Sequence, residues 1–346
     1  MQKFSKTLIS WYLKNKRDLP WRNTIDPYKI WMSEIMLQQT KVAQGMPYYL
    51  KFITAYPKVR DLADASEDEV LKLWQGLGYY SRARNLHATA KYVAYELNDV
   101  FPDNYKDLKK LKGVGDYTAS AIASICFKEP KAVLDGNVFR VLSRLFGSDL
   151  PINSSEGIKF FSNLSQELID VTVPDIHNQA IMDFGAIHCS PKKPLCESCI
   201  FKIDCIGLKN NIVDKLPIKL KKLKVKKRYF NYIVPVENNQ YTILNKRLNK
   251  GIWANLYEFP LLESSSTIEF NEIYNLVNNL NIAEGDFELS LYNEKEIVHK
   301  LSHQHIHTRF WIFSGNKISK PKILVSDIEN FPVPVLIANF INDFSF

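Results

Sequence analysis

From residue 1 to about 208, apolar positions recur at three- and four-residue spacing, the period of helices with a buried face. Asp26-Pro27, a cap followed by a first-turn proline, predicts a helix running to Gln39. Further helices are predicted over 67–75, 82–96, 117–127, 138–146, 157–169 and 178–185, separated by short turns rich in Gly, Pro, Asp and Asn. No stretch before 208 alternates as a strand. Between 209 and 228 the periodicity gives way to Lys209, Lys215, Lys219, Lys221, Lys222, Lys224, Lys226, Lys227 and Arg228, opposed only by Asp214. That run reads as a solvated basic linker, one that can also follow a phosphate backbone. Beyond it the period becomes two. Stretches 229–236 and 241–245 flank Glu237-Asn238-Asn239-Gln240, a hairpin signature. In 304–315, His305, His307, Arg309 and Trp311 alternate with Ile306, Thr308, Phe310 and Ile312. With helices predicted over 268–280 and 335–344, the chain divides into a mostly α, all-helical domain (1–208) and an α+β domain (229–346).

Composition changes this picture little. The 346 residues exceed one ordinary core, and 46% apolar with 24% charged is a globular balance. No apolar run approaches a membrane span, and Met1-Gln2-Lys3-Phe4-Ser5 lacks the apolar centre of a secretion signal. The formal charge of +8 leans towards a polyanionic partner.

Cys189, Cys196, Cys199 and Cys205 form a C-x6-C-x2-C-x5-C array. Clustered thiols in a chain with no secretion signal point to a reducing cytoplasm and to metal binding rather than disulfides. A four-thiolate zinc knuckle usually pairs two C-x2-C hairpins. Here the wider outer loops suit a cuboidal iron–sulfur cluster with one thiolate at each iron. Cys126, in an apolar helical run, reads as inert core.

Three further features carry chemistry. Leu111-Lys112-Gly113-Val114-Gly115-Asp116-Tyr117 places a tight turn between two helices (about 108–127), where close backbone approach and helix-start amides suit a phosphate. Alone, such a turn is an ordinary loop; in a basic chain it reads as a helix-hairpin-helix gripping a DNA backbone. Glu34 has Ile30, Trp31, Leu37 and Gln38 as helical neighbours, and no cation among them. A solvated face is the ordinary place for a helical glutamate, but burial of this stripe would raise its pKa and suit it to donating a proton. Gln38-Gln39-Thr40 adds uncharged hydrogen-bonding groups at the end of that helix. Asp135, before Gly136-Asn137-Val138, reads as an N-cap, and a fixed carboxylate also suits a developing sugar cation. A protonated Glu34 beside an ionised Asp135 would give the two-carboxylate division of labour that breaks glycosidic bonds.

The hairpin, the Leu134-Asp135-Gly136-Asn137-Val138 aspartate and the cysteine array, in that order, resemble the endonuclease III superfamily of base-excision DNA glycosylases. Leu19-Pro20-Trp21, Ser33 through Thr40, Gly76 through Leu86 and Asn178-Gln179-Ala180 look most like the MutY-type adenine DNA glycosylases. That resemblance implies a 4Fe-4S cluster on the four cysteines and a cytoplasmic monomer with no membrane partner. It implies action on double-stranded DNA, excising adenine paired with 8-oxoguanine or guanine. By the same resemblance Glu34 protonates the flipped adenine, Asp135 stabilises the sugar, and Tyr117 and Asn137 support that aspartate and the sugar. Trp21 and Gln179 match adenine-pocket positions, Gln38 lies among the matching segments, and Gln39 and Tyr79 match groups that wedge into the duplex. Tyr117 stands where bifunctional relatives carry a lysine nucleophile, so a monofunctional enzyme is expected. The C-terminal domain resembles a Nudix-like 8-oxoguanine reader without the R-E-x-x-E-E run that holds magnesium. Its Leu301-Ser302-His303 matches a family F-S-H loop, with Ser302 and His303 as lesion contacts. His303, His305 and His307 equally suit a half-solvated strand face.

Overall fold

Every residue from Ile30 to Met36 is buried, which makes α2 (Pro27–Leu37) a central rod rather than a surface helix. Asp26 caps it, accepting from the Tyr28 amide at 3.0 Å, with Pro27 in the first turn. The helix ends before Gln39, because Gln38 leaves helical geometry and Gln39 adopts φ 56°. The structure, a computed structural model, describes residues 2–220, 225–280, 282, 286–315, 317–318 and 321–346. Lys221, Lys222 and Lys224 of the linker lie outside the described residues.

The chain forms two units, Met1–Asp64 with Asn85–Lys221, and Ala65–Arg84 with Lys222–Phe346. The first contains α1 (Gln2–Asn15), α2, α3 (Val42–Ala55) and α4 (Val59–Asp64). The second takes α5 (Glu67–Leu73) and the start of α6 (Ser81–Lys91). The first unit resumes with α7 (Tyr105–Leu108), α8 (Asp116–Phe127), α9 (Gly136–Phe146), α10 (Ser155–Leu168), α11 (Pro174–Asp183) and α12 (Ile206–Lys209). Helix α8 is buried from Thr118 to Ile125, and its Ala119, Ser120, Ala121, Ala123 and Ser124 are small enough for α2 to lie against it. Two of the expected helices end in π turns, Tyr92–Glu96 and Phe184–His188. The linker is less free than its lysines suggest. Leu216 is buried, Arg144 donates to the carbonyls of Val213 and Leu216, and Leu220 and Asn153 bond each other. Buried Leu216 and the hydrogen bonds with Arg144 and Asn153 pin it as far as Leu220.

In the second unit, β1 (Lys226–Val236), β2 (Tyr241–Thr242), β3 (Asn245–Lys246), β4 (Tyr257–Glu258) and β5 (Leu261–Ser264) precede α13 (Phe270–Asn278). Then come β6 (Phe287–Leu291), β7 (Ile297–Lys300), β8 (Gln304–Gly315), β9 (Ile323–Leu324) and α14 (Val335–Asp343). The main sheet has the order β5-β1-β8-β6, with β7 also on β8; β1 and β8 run parallel. The hairpin expected across 237–240 therefore does not form a ladder. Asn238 and Asn239 do turn left-handed, and Glu237 bridges Tyr241, but the pairing stops at that bridge and β2 pairs with β9 instead. Helix α13 covers one face of the sheet, its Ile273 and Val277 joining Ile233, Trp311 and Phe313. Helix α14 covers the other, with Phe340 stacked 4.1 Å from Phe310. Cover on both faces explains why Trp311 is buried although it shares the strand face of His305 and His307.

Residues 65–84 join this unit through polar contacts. The Asp68 carboxylate accepts from Lys246 Nζ at 2.7 Å and from the Tyr257 hydroxyl at 3.0 Å. Asn255 donates to Glu67 at 2.5 Å, and Arg84 to the Ala254 carbonyl at 2.8 Å. Among the described residues no helix is long and apolar enough to cross a membrane.

Candidate active site

Three elements of the first unit converge on one buried polar centre. Helix α2 contributes Glu34, 8% exposed; the first turn of α8 contributes Tyr117; the cap of α9 contributes Asp135 and Asn137. Burial pushes the Glu34 pKa up to about 7, while a hydrogen bond from Tyr117 pulls it down, the charge of Asp135 adds to the rise and Arg22 opposes it. The Tyr117 phenol is itself raised well above its usual range by burial and by both carboxylates, and its hydroxyl also lies 3.2 Å from Met182 Sδ.

Asp135 accepts three hydrogen bonds: from the amides of Asn137 (2.9 Å) and Val138 (2.8 Å) and from Asn137 Nδ2 (2.8 Å). Burial raises its pKa, and these donors and Arg140 counter the rise by favouring the anion. With every hydrogen bond to it coming from a donor, the carboxylate is fixed in direction and held for the ionised form. Burial thus favours the neutral form of Glu34, while the donors around Asp135 favour its anion against burial.

Arginines frame it, Arg140 buried and Arg22 and Arg17 half-buried. Arg22 and Arg17 both donate to Asp183, whose side chain is wholly buried, at 2.5–2.9 Å. Burial works against ionised Asp183, but the hydrogen bonds from Arg22 and Arg17 hold its carboxyl below the usual range. Arg140 donates to Asn137 Oδ1 (2.8 Å), the Gly185 carbonyl (2.6 Å) and the Cys189 carbonyl (2.8 Å). A Cβ on Gly185 would fall 2.7 Å from Asn137 Cβ and 3.0 Å from its carbonyl oxygen, so only glycine allows the π turn to touch the start of α9. Arg22, Arg140 and Gly185 were not anticipated. Arg140 and Arg144, one turn apart among the apolar residues of α9, were the available signal; nothing local marks Arg22 or Gly185.

The other anticipated residues fall as follows. Trp21 is buried, edge-on to Tyr49 at 5.2 Å. Gln179 accepts from the Tyr12 hydroxyl at 2.8 Å. Gln38 donates to the Gly113 carbonyl (3.4 Å) and to Thr118 Oγ1 (3.3 Å), tying the end of α2 to the hairpin, and Gln39 is exposed. Gly113 has φ 81°, and a Cβ there would meet Asn85 at 2.9 Å; a Cβ on Gly115, which caps α8, would meet open space. Val114 is buried, so its side chain faces inward and only its backbone lies at the turn. In the second unit Tyr79 is 46% exposed with φ 49°. Ser302 and His303 are exposed in the β7–β8 turn, which the Leu301 amide closes on the Gln304 carbonyl at 2.8 Å. His307 stacks on Tyr229 and bonds Glu296 at 2.8 Å.

The four cysteines line one cavity together with Arg144 and His188. Arg144 Nη1 lies 3.5 Å from Cys189 Sγ, and the Phe201 amide 3.4 Å from Cys199 Sγ. Burial raises Cys196, Cys199 (to about 11) and Cys205, and the neighbouring sulfurs add to it. Among the described residues no His, Cys, Asp or Glu side chains converge as a single-ion site. Four thiols ringing a shared cavity, with N–H donors aimed at two sulfurs, fit the donor set of a cuboidal cluster. Lys192 and Lys193 on this loop are exposed, whereas Lys202 is paired with Glu197 at 2.6 Å.

Residues 32–160 match the HhH-GPD superfamily of base excision DNA repair proteins, and residues 231–343 match a NUDIX domain. An adenine DNA glycosylase of Buchnera aphidicola subsp. Baizongia pistaciae (strain Bp) is 38% identical over 326 residues, 91% of this chain and 87% of the relative. The adenine DNA glycosylase of Mus musculus is 45% identical over 205 residues, 57% of this chain and 40% of the relative. Among solved structures, a thermostable thymine-DNA glycosylase is similar at 31% identity and TM-score 0.56, over 60% of this chain and 96% of that one. Endonuclease III from a non-covalent DNA complex, at 21% identity and TM-score 0.53, covers 61% of this chain and 96% of its own, a likeness of fold.

Proposed function

The chain belongs to the adenine DNA glycosylase family, hydrolases of base excision repair, and from that premise we propose that its substrate is adenine facing 8-oxoguanine or guanine in double-stranded DNA. The observation that carries the mechanism is Glu34, buried beside Tyr117 and Asp135 with its pKa raised to about 7.

A stacked adenine offers neither carboxylate access to its glycosidic bond, so the nucleotide must be extruded first. The neutral Glu34 carboxyl then donates its proton to the base, turning a poor leaving group into a better one. Trp21 and Gln179 receive the base. As the C–N bond lengthens, positive charge grows on the sugar, and Asp135, held by Asn137 and the first amides of α9, faces it without having to reorient. Glu34, now a carboxylate, takes a proton from the attacking water. Tyr117 keeps Glu34 in place and, being no amine, offers no Schiff-base route to strand nicking. The Gly113–Gly115 turn and α8 hold the backbone. Cys189, Cys196, Cys199 and Cys205 would hold a 4Fe-4S cluster, which would brace the loop whose exposed Lys192 and Lys193 meet phosphates. Ser302 and His303 contact the base opposite the adenine.

Single-turnover excision on duplexes bearing adenine opposite 8-oxoguanine, guanine or thymine tests this reading. The first two should be cut and the third spared, and Glu34→Gln should lose excision while still binding the lesion duplex. Release of oxidised pyrimidines, or a Glu34→Gln variant with native rates, overturns it.

A further inference from the structure

Tyr79 sits in an improbable turn. Gly76 (φ 96°), Gly78 (φ 77°) and Tyr79 (φ 49°) are all left-handed, and for tyrosine that region is disfavoured. Its ring is nonetheless 46% exposed, so burial of the ring does not hold it there. What lies beneath is Arg82, only 7% exposed. One of its guanidinium nitrogens donates to the carbonyls of Gly78 (3.1 Å) and Leu77 (3.4 Å). The guanidinium carbon lies 5.5 Å from the centroid of Tyr79 and 5.2 Å from that of Trp74. Trp74, wholly buried, donates its indole N–H to the Gly78 carbonyl at 3.0 Å, and the Arg82 amide bonds the Tyr79 carbonyl at 2.9 Å. A planar cation that gathers turn carbonyls at its edge and carries a tyrosine ring on its face is a mount for that ring.

We propose that Arg82 is a positioning residue: its guanidinium clamps the 76–79 turn and presents the Tyr79 ring outward, ready to enter a DNA duplex when adenine leaves it. This rests on the reading of Tyr79 as a wedge and extends it to the group that readies the wedge before DNA arrives. Pre-organisation of this kind lowers the cost of extrusion without touching the chemical step.

The test uses the full-length protein with Arg82→Met, Arg82→Lys, Tyr79→Ala and the Arg82→Met/Tyr79→Ala pair. Two signals are read: unstacking of 2-aminopurine placed at the target adenine, and single-turnover excision. Arg82→Met should slow both about tenfold in the native background and less than about twofold once Tyr79 is alanine, the non-additivity of two residues acting as one device. Arg82→Lys, which keeps the charge but not the planar fork, should fall between. It also serves as the test variant should Arg82→Met fail to fold. Equal losses in both backgrounds would overturn the proposal while leaving Tyr79 a wedge. Native unstacking in Tyr79→Ala would overturn the wedge reading and the proposal with it.

Discussion

At the scale of the residue, Glu34 concentrates the conflict between stability and chemistry. Its folded pKa of about 7 stands above the ordinary glutamate value of 4.5. Between those values the folded chain binds the proton that the unfolded chain has released, so this group's contribution to stability falls as pH rises through the interval. Above about pH 7 the penalty is complete, on the order of 3 kcal/mol. Glu34→Gln should accordingly raise the thermal midpoint at pH 8, leave it unchanged near pH 4, and abolish excision at both. The native excision rate should decline above about pH 7, where the proton to be donated is lost; a rate rising through pH 8 would exclude Glu34 as the acid. Glu34 was legible in the sequence because its helical neighbours are apolar and include no cation. Arg22 was not, since its place beside the centre is set through Asp183, far away along the chain.

At the scale of the element, the start of α9 is held at one end of a continuous polar chain from the Cys189 carbonyl through Arg140 and Asn137 to Asp135. Gly185→Ala would press directly on Asn137. We expect it to cost about 1–3 kcal/mol of stability, as overpacking does, and to lower the single-turnover excision rate at least about tenfold with lesion-duplex affinity nearly native. Loss of affinity with an unchanged rate would contradict this. Serine in place of Cys199 should remove the visible absorbance of an iron–sulfur cluster and lower the thermal midpoint. The helices themselves were legible because caps and 3.6-residue periodicity are local. The π turns were not, because one widened turn at the end of a helix leaves no mark on so short a 3.6-residue pattern. The 237–240 hairpin misled for the opposite reason. Its turn residues do turn, but ladder partners are chosen by the whole sheet.

At the scale of the whole molecule, the charge excess and the hairpin predict DNA affinity that falls steeply with salt for any sequence, whereas discrimination should follow the second unit. Ser302→Ala with His303→Ala should shrink the preference for adenine opposite 8-oxoguanine over adenine opposite guanine, measured by competition at fixed salt. The catalytic rate on a bound duplex should stay within about twofold, since neither residue meets the reacting atoms. Both modules were legible from the switch in period near residue 208; the assignment of 65–84 was not, because ties such as Asp68 to Lys246 and Tyr257 link segments with no common pattern. That interleaving has a practical corollary. The polypeptide passes between its units three times, after Asp64, Arg84 and Lys221. Scission within the basic tether would free no self-sufficient half, for the severed amino-terminal piece would keep Asp68, Glu67 and Gln75 while forfeiting the side chains and amide that satisfy them. Transplanting the second unit onto another protein therefore means moving a discontinuous pair of segments, not one cassette.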